Sequence, residues 1–270
     1  MSDGLTSGAV PPDGRAADVL ILTGLSWSVG GSAILSDVDL SVAGGEFVAV
    51  IGPNGAGKTS LFNLISGLNR ASAGRIALDG ADITVEAPHK RARRGIGRTF
   101  QSSSVFPTMT VAEHVALAGQ VAAKRRASGA SRASGASRDS ESSGAAGSDV
   151  LERVRLTEKS AALAADLSHG DKRKLELAML LASGAERLLL LDEPMAGVAS
   201  GDVPELVEVI RALHRDEGRT VLMVEHHMEV LLGLADRVAV MHHGALLAID
   251  TPERIMADAR VQEAYVGDAL

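Results

Sequence analysis

One glycine-rich segment has the residue types and the spacing that bind phosphate groups. Residues 52–59 read Gly-Pro-Asn-Gly-Ala-Gly-Lys-Thr and match the pattern G-x-x-x-x-G-K-[ST] at every defined position. The glycines let successive backbone N–H groups face a phosphate, and the dipole of a following helix adds positive potential. Lys58 would reach the β- and γ-phosphates of a nucleotide, and the Thr59 hydroxyl would ligate Mg²⁺. The predicted nucleotide-contacting residues here are Gly52, Pro53, Asn54, Gly55, Ala56, Gly57, Lys58, Thr59 and Ser60.

Two acidic residues follow a strongly apolar run. Residues 188–191 are four leucines, which suits a strand buried on both faces, and Asp192 and Glu193 come directly after them. Considered alone, such a pair is equally compatible with a surface turn. In a chain that also has a phosphate-binding loop, we expect Asp192 to hold Mg²⁺, directly or through water. Glu193 would then orient or deprotonate the water that attacks the γ-phosphate.

A third segment, Leu167-Ser168-His169-Gly170-Asp171-Lys172, precedes a run with apolar residues at helical spacing. Ser168 and Gly170 would therefore lie at a helix N-terminus, which is a second place where backbone N–H groups favour a phosphate. Considered alone, the segment is more simply explained as a serine N-cap beside a glycine. One fold cannot bring both helix ends to the same γ-phosphate, whereas a second copy of the chain could supply one of them.

The elements that must position these residues alternate between strand and helix. The predicted strands are residues 19–27, 34–42, 46–51, 75–78, 96–101, 188–191, 220–224 and 237–241. The predicted helices are one directly after the glycine-rich loop, a short basic one that Pro88 opens, and residues 111–118, 170–182, 203–213 and 228–234. This alternation predicts an α/β fold with a parallel sheet covered on both faces. A nucleotide should then lie at the carboxyl ends of its strands.

The composition limits the classes of protein that fit. The chain has 270 residues, 46% of them hydrophobic and only 2% aromatic, so the core of its one or two domains must be aliphatic. A net charge of −7 argues against a nucleic-acid partner, and the absence of cysteine excludes disulfides and thiolate metal sites. No apolar run is long enough to span a bilayer, and the N-terminus lacks a signal-peptide pattern. We therefore expect a soluble, cytoplasmic protein unless a partner recruits it.

Two segments have compositions typical of disorder. Residues 1–17 are rich in Gly, Ser, Pro and Asp, and we expect a loose tail. Residues 121–148 lack large apolar side chains over most of their length, and the hexapeptide Ala-Ser-Gly-Ala-Ser-Arg at 127–132 is repeated at 133–138. We predict a low-complexity flexible insert over 121–148. The remainder has the size of a single compact domain.

In their order along the chain, these motifs resemble those of the ATP-binding subunits of ATP-binding cassette (ABC) transporters, whose signature is L-S-G-G-Q or a close variant. Gln101 matches the family's Q-loop glutamine, which touches Mg²⁺ and faces the membrane subunits, and His226 matches the switch histidine at the γ-phosphate. Residues 196–199 occupy the D-loop. The resemblance implies an ABC-type phosphate-loop NTPase domain over residues 18–267, with an antiparallel β subdomain and a helical subdomain.

The same resemblance implies a mechanism and partners. ATP and Mg²⁺ would be the cofactors, with Glu193, His226 and Gln101 as catalytic residues and with Thr59, Gln101 and Asp192 at the metal. Two cassettes, identical or paired with a sister subunit, would close head to tail around two ATP molecules. Ser168 and Gly170 of one subunit would contact the ATP held by the other. The implied partners are two transmembrane permease subunits and an extracytoplasmic solute-binding protein, with the chain peripheral at the cytoplasmic face of the membrane and no nucleic acid bound.

Some positions depart from the family pattern. His169 replaces the middle glycine of the signature and Asp171 its usual glutamine, but both phosphate-facing positions are retained. Ala199 stands where many members have an aspartate in the D-loop, which puts communication through that side chain in doubt.

The expected adenine-stacking aromatic is also absent, because Val29 occupies its position when the chains are aligned on Gly30-Gly31. Trp27 lies two residues earlier, on the same predicted strand face, and could stack on adenine instead. The alternative is that Trp27 is a core residue. His227 replaces a common aspartate, and we expect it to be solvated.

Within the superfamily, the likeness is greatest to the branched-chain amino acid uptake subfamily. The residues that carry it are Gly-Arg-Thr-Phe-Gln at 97–101, Phe-Pro-Thr-Met-Thr-Val at 106–111, the Ser-His-Gly signature, and the segments 192–197, 251–253 and 261–267. Cassettes of urea and short-chain amide importers are very similar and remain an alternative. A DNA-repair ABC ATPase would need a heptad-patterned insertion between the phosphate loop and the signature, and residues 60–166 contain none. A translation-associated ABC protein would carry two cassettes, and this chain has one. A phosphate-loop kinase would leave Ser168, Gly170 and His226 unexplained.

Overall fold

The computed structural model describes residues 16–99, 105–130 and 142–267. In this part of the chain the strands are β1 (Asp18–Val29), β2 (Ser32–Ala43), β3 (Phe47–Ile51), β4 (Ala73–Leu78), β5 (Ala81–Asp82), β6 (Ile96–Arg98), β7 (Leu188–Asp192), β8 (Val221–Val224), β9 (Arg237–His242) and β10 (Ala245–Asp250). The helices are α1 (Lys58–Ser66), α2 (Pro88–Arg93), α3 (Val111–Ala130), α4 (Ser142–Arg153), α5 (His169–Ala182), α6 (Val203–Arg215), α7 (Met228–Leu234), α8 (Pro252–Ala257) and α9 (Ala259–Gly267).

A largely parallel sheet forms the centre of the molecule. Its order is β10-β9-β3-β8-β7-β6, and all neighbouring pairs are parallel except β10 with β9. Successive side chains of a strand point to opposite faces, and β3 shows this directly. Phe47, Ala49 and Ile51 join one buried cluster with the helices, whereas Val48 and Val50 join the other with α1 and the second sheet. The predicted parallel sheet, covered on both faces, is confirmed.

The second sheet is antiparallel and has the order β2-β1-β4-β5. Its inward side chains, among them Leu20, Leu22 and Ile76, pack in the same buried cluster as the α1 residues Leu61 and Phe62. This sheet is the antiparallel β subdomain that the family resemblance implied. It packs on the same face of the central sheet as α1.

The helical region formed by α3, α4 and α5 is longer than the sequence predicted. Helix α3 continues to Ala130 instead of ending near residue 118, and α4 begins at Ser142. Residues 121–130 and 142–148 are therefore helical, in contrast to the flexible insert predicted for 121–148. Alanine, lysine and arginine dominate 122–127 and favour a helix even without large apolar side chains. Packing also contributes, since Val150 and Leu151 of α4 are buried with Val115 of α3.

The two ends of the described chain differ from the prediction in extent. The predicted tail at 1–17 lies outside it, except for Ala16 and Ala17, and the Ala17 carbonyl accepts a hydrogen bond from Gly44 N–H. Strand β10 and helices α8 and α9 were not predicted from the sequence. Among the described helices, none combines the length and the apolar character needed to cross a bilayer.

Candidate functional site

The phosphate loop, residues 52–59, connects the end of β3 to the first turn of α1. Gly52 has φ +148°, and a Cβ added there would lie 2.1 Å from the carbonyl oxygen of Met241 in β9. Gly57 caps α1 with φ +97°, and a Cβ there would lie 2.7 Å from Leu35 Cδ2. Both positions exclude a side chain, so glycine alone lets the loop pass between β9 and β2 and turn into the helix.

The Lys58 ammonium lies across this loop. Its Nζ donates hydrogen bonds to the carbonyl oxygens of Gly52, at 2.6 Å, and Pro53, at 2.9 Å. Burial lowers the pKa of Lys58, and the nearby carboxylates of Glu193 and Asp192 oppose that effect. Both carboxylates are therefore close enough to Lys58 to influence its charge. The next side chain, Thr59, is exposed at the start of α1.

Asp192 ends β7 and is buried. Its Oδ2 accepts a hydrogen bond from Arg98 Nη2 at 2.9 Å, and its backbone N–H donates to Thr99 Oγ1 at 3.0 Å. Its Oδ1 is buried and has no hydrogen-bond partner among the described residues. Burial raises the pKa of Asp192, and the Arg98 guanidinium opposes that effect. The carboxylate is therefore held on one oxygen, while the other is buried without a hydrogen bond among the described residues.

Glu193, the next residue, has an unusual backbone conformation. Its φ is +48°, in the left-handed region that side chains seldom adopt, while its N–H still donates to Val224 O at 2.9 Å. This conformation turns the chain out of the sheet directly after β7. The carboxylate Oε1 lies 3.0 Å from Nε2 of His226, which follows β8. The two predicted catalytic side chains thus meet at the carboxyl ends of neighbouring parallel strands.

A buried glutamate organises the loop that carries His226. Glu225 accepts hydrogen bonds from the backbone N–H groups of Met195 at 2.9 Å, His226 at 2.7 Å and His227 at 3.2 Å. His227 is exposed, as predicted, but its Nδ1 also lies 2.9 Å from Glu225 Oε2. Because Met195 begins the segment that leads into the predicted D-loop, one side chain ties that segment to the histidine loop.

Ser168 and Gly170 lie at the start of α5, as predicted. Ser168 is the N-cap, and its Oγ accepts a hydrogen bond from Asp171 N–H at 3.1 Å. A Cβ at Gly170 would lie 2.8 Å from the Cβ of Asp202. Within the described residues, no hydrogen bond or ion pair joins Ser168 to the phosphate loop. Within the described residues, the start of α1 and the start of α5 are therefore two separate helix N-termini.

Asp171, the residue in the usual glutamine position, is buried in the first turn of α5 and forms ion pairs with two lysines. It pairs with Lys159 and, at 2.8 Å, with Lys174, which also contacts Glu205 at 3.1 Å. Although burial raises the pKa of Asp171, hydrogen bonds from the two lysines more than offset this and hold its pKa below the usual value. The departure from the family pattern thus has its own partners in this chain.

Of the remaining predicted site residues, the structure describes Trp27 but not Gln101. Trp27 is half-buried and packs against the cluster that contains α1, whereas Val29 is 52% exposed. The pairing of β1 with β2 is irregular between Leu25 and Ser28, so the simple alternation that placed Trp27 and Val29 on one face does not hold there. Gln101 lies outside the described residues.

Two residues that contact the site were not given a role from the sequence. Arg98 lies in the predicted strand before Gln101. A charged side chain at the end of a short buried strand needs a partner, and that is the sequence signal for its role. Glu225 directly precedes His226 after an apolar strand, which is the same pattern as Asp192 after its leucines. The fold and this arrangement of lysine, two acids and histidine define a phosphate-loop nucleoside triphosphatase.

Comparison with known proteins gives the family. The ABC transporter family model matches residues 35–196. The chain is 35% identical over 252 residues to the high-affinity branched-chain amino acid transport ATP-binding protein BraF of Pseudomonas aeruginosa, covering 93% of this chain and 98% of that protein. Identity and coverage are the same for LivG of Escherichia coli, which has the same description. A solved ADP conformation of an ATP-binding cassette of an ABC transporter superposes with a TM-score of 0.79 at 28% identity, covering 93% and 100% of the two chains.

The chain belongs to the ABC transporter family and is an ATP-hydrolysing subunit of that family. The predicted fold class, an ABC-type phosphate-loop domain with an antiparallel β subdomain and a helical subdomain, is confirmed.

Proposed function

We propose that this chain supplies the energy for an importer of branched-chain amino acids. The observation that carries the proposal is the 35% identity, over nearly the full length of both chains, to two ATP-binding proteins of branched-chain amino acid transport. The solute would be bound by other subunits, so the site itself does not select among solutes. A urea or short-chain amide importer is the alternative.

The chemistry assigned to this chain is attack of water on the γ-phosphate of ATP. The phosphate loop and Lys58 bind the phosphates. Glu193 orients or deprotonates the attacking water, and His226, 3.0 Å from that carboxylate, contacts the γ-phosphate and keeps the Glu193 side chain in place. Gln101 completes the catalytic set.

The same site suits Mg²⁺. This ion is usually held by one or two carboxylates together with substrate phosphates, so a cluster of protein ligands is not needed. Asp192 offers Oδ1, a buried oxygen without a hydrogen-bond partner among the described residues, and Thr59 offers an exposed hydroxyl. We assign Thr59, Asp192 and Gln101 to the ion, which would neutralise charge on the β- and γ-phosphates when bound.

We further propose that the complete site needs two cassettes. Ser168 and Gly170 begin α5 with their N–H groups at a helix N-terminus, and no described contact connects Ser168 to the phosphate loop of the same chain. A second subunit, identical or a sister chain, would place these groups against the γ-phosphate. Two transmembrane permeases and an extracytoplasmic solute-binding protein complete the proposed importer, with this chain at the cytoplasmic face of the membrane.

Uptake measurements in the native host test the proposed function. Deletion of the gene should abolish uptake of radiolabelled leucine while urea uptake continues. Wild-type chain supplied from a plasmid should restore it, and the Glu193→Gln chain, produced at the same level, should not. Loss of urea uptake with normal leucine uptake would replace this proposal with the short-amide alternative. Loss of neither would refute both assigned solutes.

A further inference from the structure

Arg98 connects two elements that carry different parts of the site. It ends β6, and its side chain is only 7% exposed. Its Nη2 donates to Asp192 Oδ2 at 2.9 Å, while its Nη1 donates to Asn63 Oδ1 at 2.7 Å and to Ser66 Oγ at 2.9 Å. Asn63 and Ser66 belong to α1. One guanidinium therefore bridges the helix that follows the phosphate loop and the acid that ends β7.

This bridge leaves the Asp192 carboxylate in a defined orientation. Oδ2 is engaged by the guanidinium, and the backbone at the same residue is fixed by Thr99 Oγ1 at 3.0 Å. Oδ1 remains buried and without a hydrogen-bond partner among the described residues. Since leaving a buried carboxylate oxygen unsatisfied is costly, this oxygen is available for a cation or its water.

The bridge also links the elements that carry two of the proposed ligands of the ion, Thr59 on α1 and Asp192 at the end of β7. Thr59 is in the first turn of α1, and Asn63 and Ser66 are one and two turns further along the same helix. Arginine suits this role because its rigid, planar fork donates in several directions at once, which a lysine ammonium on a flexible stem does not. The Phe62 ring, 5.8 Å from the guanidinium carbon, further restricts it.

We propose that Arg98 is a positioning residue for the divalent cation site: it orients Asp192 and holds α1 at the distance at which Thr59 and Asp192 share one ion. The inference rests on the proposed function of those two residues as ligands. Residues that orient metal-binding carboxylates contribute about 10–100-fold in metal affinity or activity. The positive charge of the guanidinium lowers cation affinity, because it repels a nearby cation. The hydrogen bonds that fix Asp192 and α1 strengthen cation binding more than this repulsion weakens it.

The test measures how much Mg²⁺ strengthens nucleotide binding. Calorimetry with the full chain gives Kd for AMP-PNP, a non-hydrolysable ATP analogue, in Mg²⁺ and in EDTA, and the ratio of the two is the gain due to Mg²⁺. Arg98→Met should reduce this gain by about 10–100-fold and leave Kd in EDTA unchanged. Arg187→Met is the matched control, since it removes one arginine from an exposed ion pair with Asp79, and should keep the gain of the wild type.

Further variants separate this inference from the function on which it rests. Asp192→Asn must itself reduce the gain; if it does not, the proposed metal site is wrong. If Asp192→Asn reduces the gain but Arg98→Met preserves or increases it, the positioning role is wrong. In the Asp192→Asn background, Arg98→Met should cause no further loss, and an additional loss would show that Arg98 acts by another route. Should Arg98→Met fail to fold, Arg98→Lys keeps the charge without the fork and must show the loss, and a normal gain there overturns the proposal.

Discussion

Replacement of Glu225 by glutamine tests whether one buried carboxylate holds two functional loops together. Oε1 accepts the Met195 N–H, whereas Oε2 accepts the N–H groups of His226 and His227 and contacts His227 Nδ1. Glutamine has the same shape, but its amide nitrogen is a donor. If that nitrogen takes the Oε2 position, it faces two backbone donors, and if it takes the Oε1 position, it faces one.

The second orientation costs less free energy, so it determines the expected loss of stability. It leaves the Met195 N–H buried without an acceptor, which costs about 1–3 kcal/mol. For a chain of this size, each kcal/mol lowers Tm by about 2–4 °C, so Glu225→Gln should melt roughly 2–12 °C below the wild type. Because the amide keeps the contacts to His226 and His227, the loosened segment is the one that leads from Met195 into the D-loop. Turnover should therefore fall several-fold while ATP binding to the monomer is unchanged.

Thermal unfolding by circular dichroism and steady-state ATPase assays check both expectations. Glu229→Gln is the matched control, because Glu229 is exposed on α7 and undergoes the same chemical change four residues away. If the two variants melt at the same temperature, the Glu225 hydrogen bonds do not stabilise the loops. A large loss of stability with normal turnover would show that the link has no role in the reaction.

Gly52→Ala should abolish soluble expression or lower Tm far more than Gly55→Ala, since its Cβ would collide with the Met241 carbonyl whereas nothing lies within 4 Å at Gly55. Trp27→Ala should weaken ATP binding by about 1 kcal/mol if the ring stacks on adenine, and unchanged affinity by calorimetry would assign it to the core. Exchange of residues 131–141 for a Gly-Ser linker of equal length should leave Tm and ATPase rate within experimental error, and loss of most activity without unfolding would reveal a function for that segment.

The parts of the site that follow strands were predictable from sequence. A short apolar run that ends in a glycine-rich or acidic motif defines both the strand and the place where its polar residues emerge. For this reason the phosphate loop after β3 and the acids after β7 were predicted at one edge of the sheet, whereas His226 after β8 was assigned only through the family resemblance. In the structure, Glu193 Oε1 lies 3.0 Å from His226 Nε2.

Contacts between distant segments were not predictable in the same way. The Arg98 guanidinium reaches α1 and β7, which are separated from it by 32 to 94 positions, and only the folded arrangement of β6 beside β7 brings them together. Helix α3 extends to Ala130 although its C-terminal half has few large apolar side chains, since alanine, lysine and arginine favour a helix by themselves. Hydrophobic periodicity does not detect such a helix.

In the proposed importer, Ser168 and Gly170 of one cassette complete the ATP site of another. Glu193→Gln keeps the shape of the side chain but removes the charge that activates water, so turnover should fall on the order of 10²-fold or more while ATP remains bound. Unhydrolysed ATP should then hold two cassettes together. Adding Ser168→Arg places bulk and charge at the start of α5 and should prevent this dimer without preventing ATP binding to the monomer.

Size-exclusion chromatography with light scattering, in the presence and absence of MgATP, measures this directly. The Glu193→Gln chain, alone or mixed with its sister subunit, should elute as a dimer only with MgATP. The Glu193→Gln/Ser168→Arg chain should elute as a monomer under both conditions. A Glu193→Gln chain that stays monomeric with MgATP, with and without the sister subunit, or a double variant that still dimerises, would contradict the composite site.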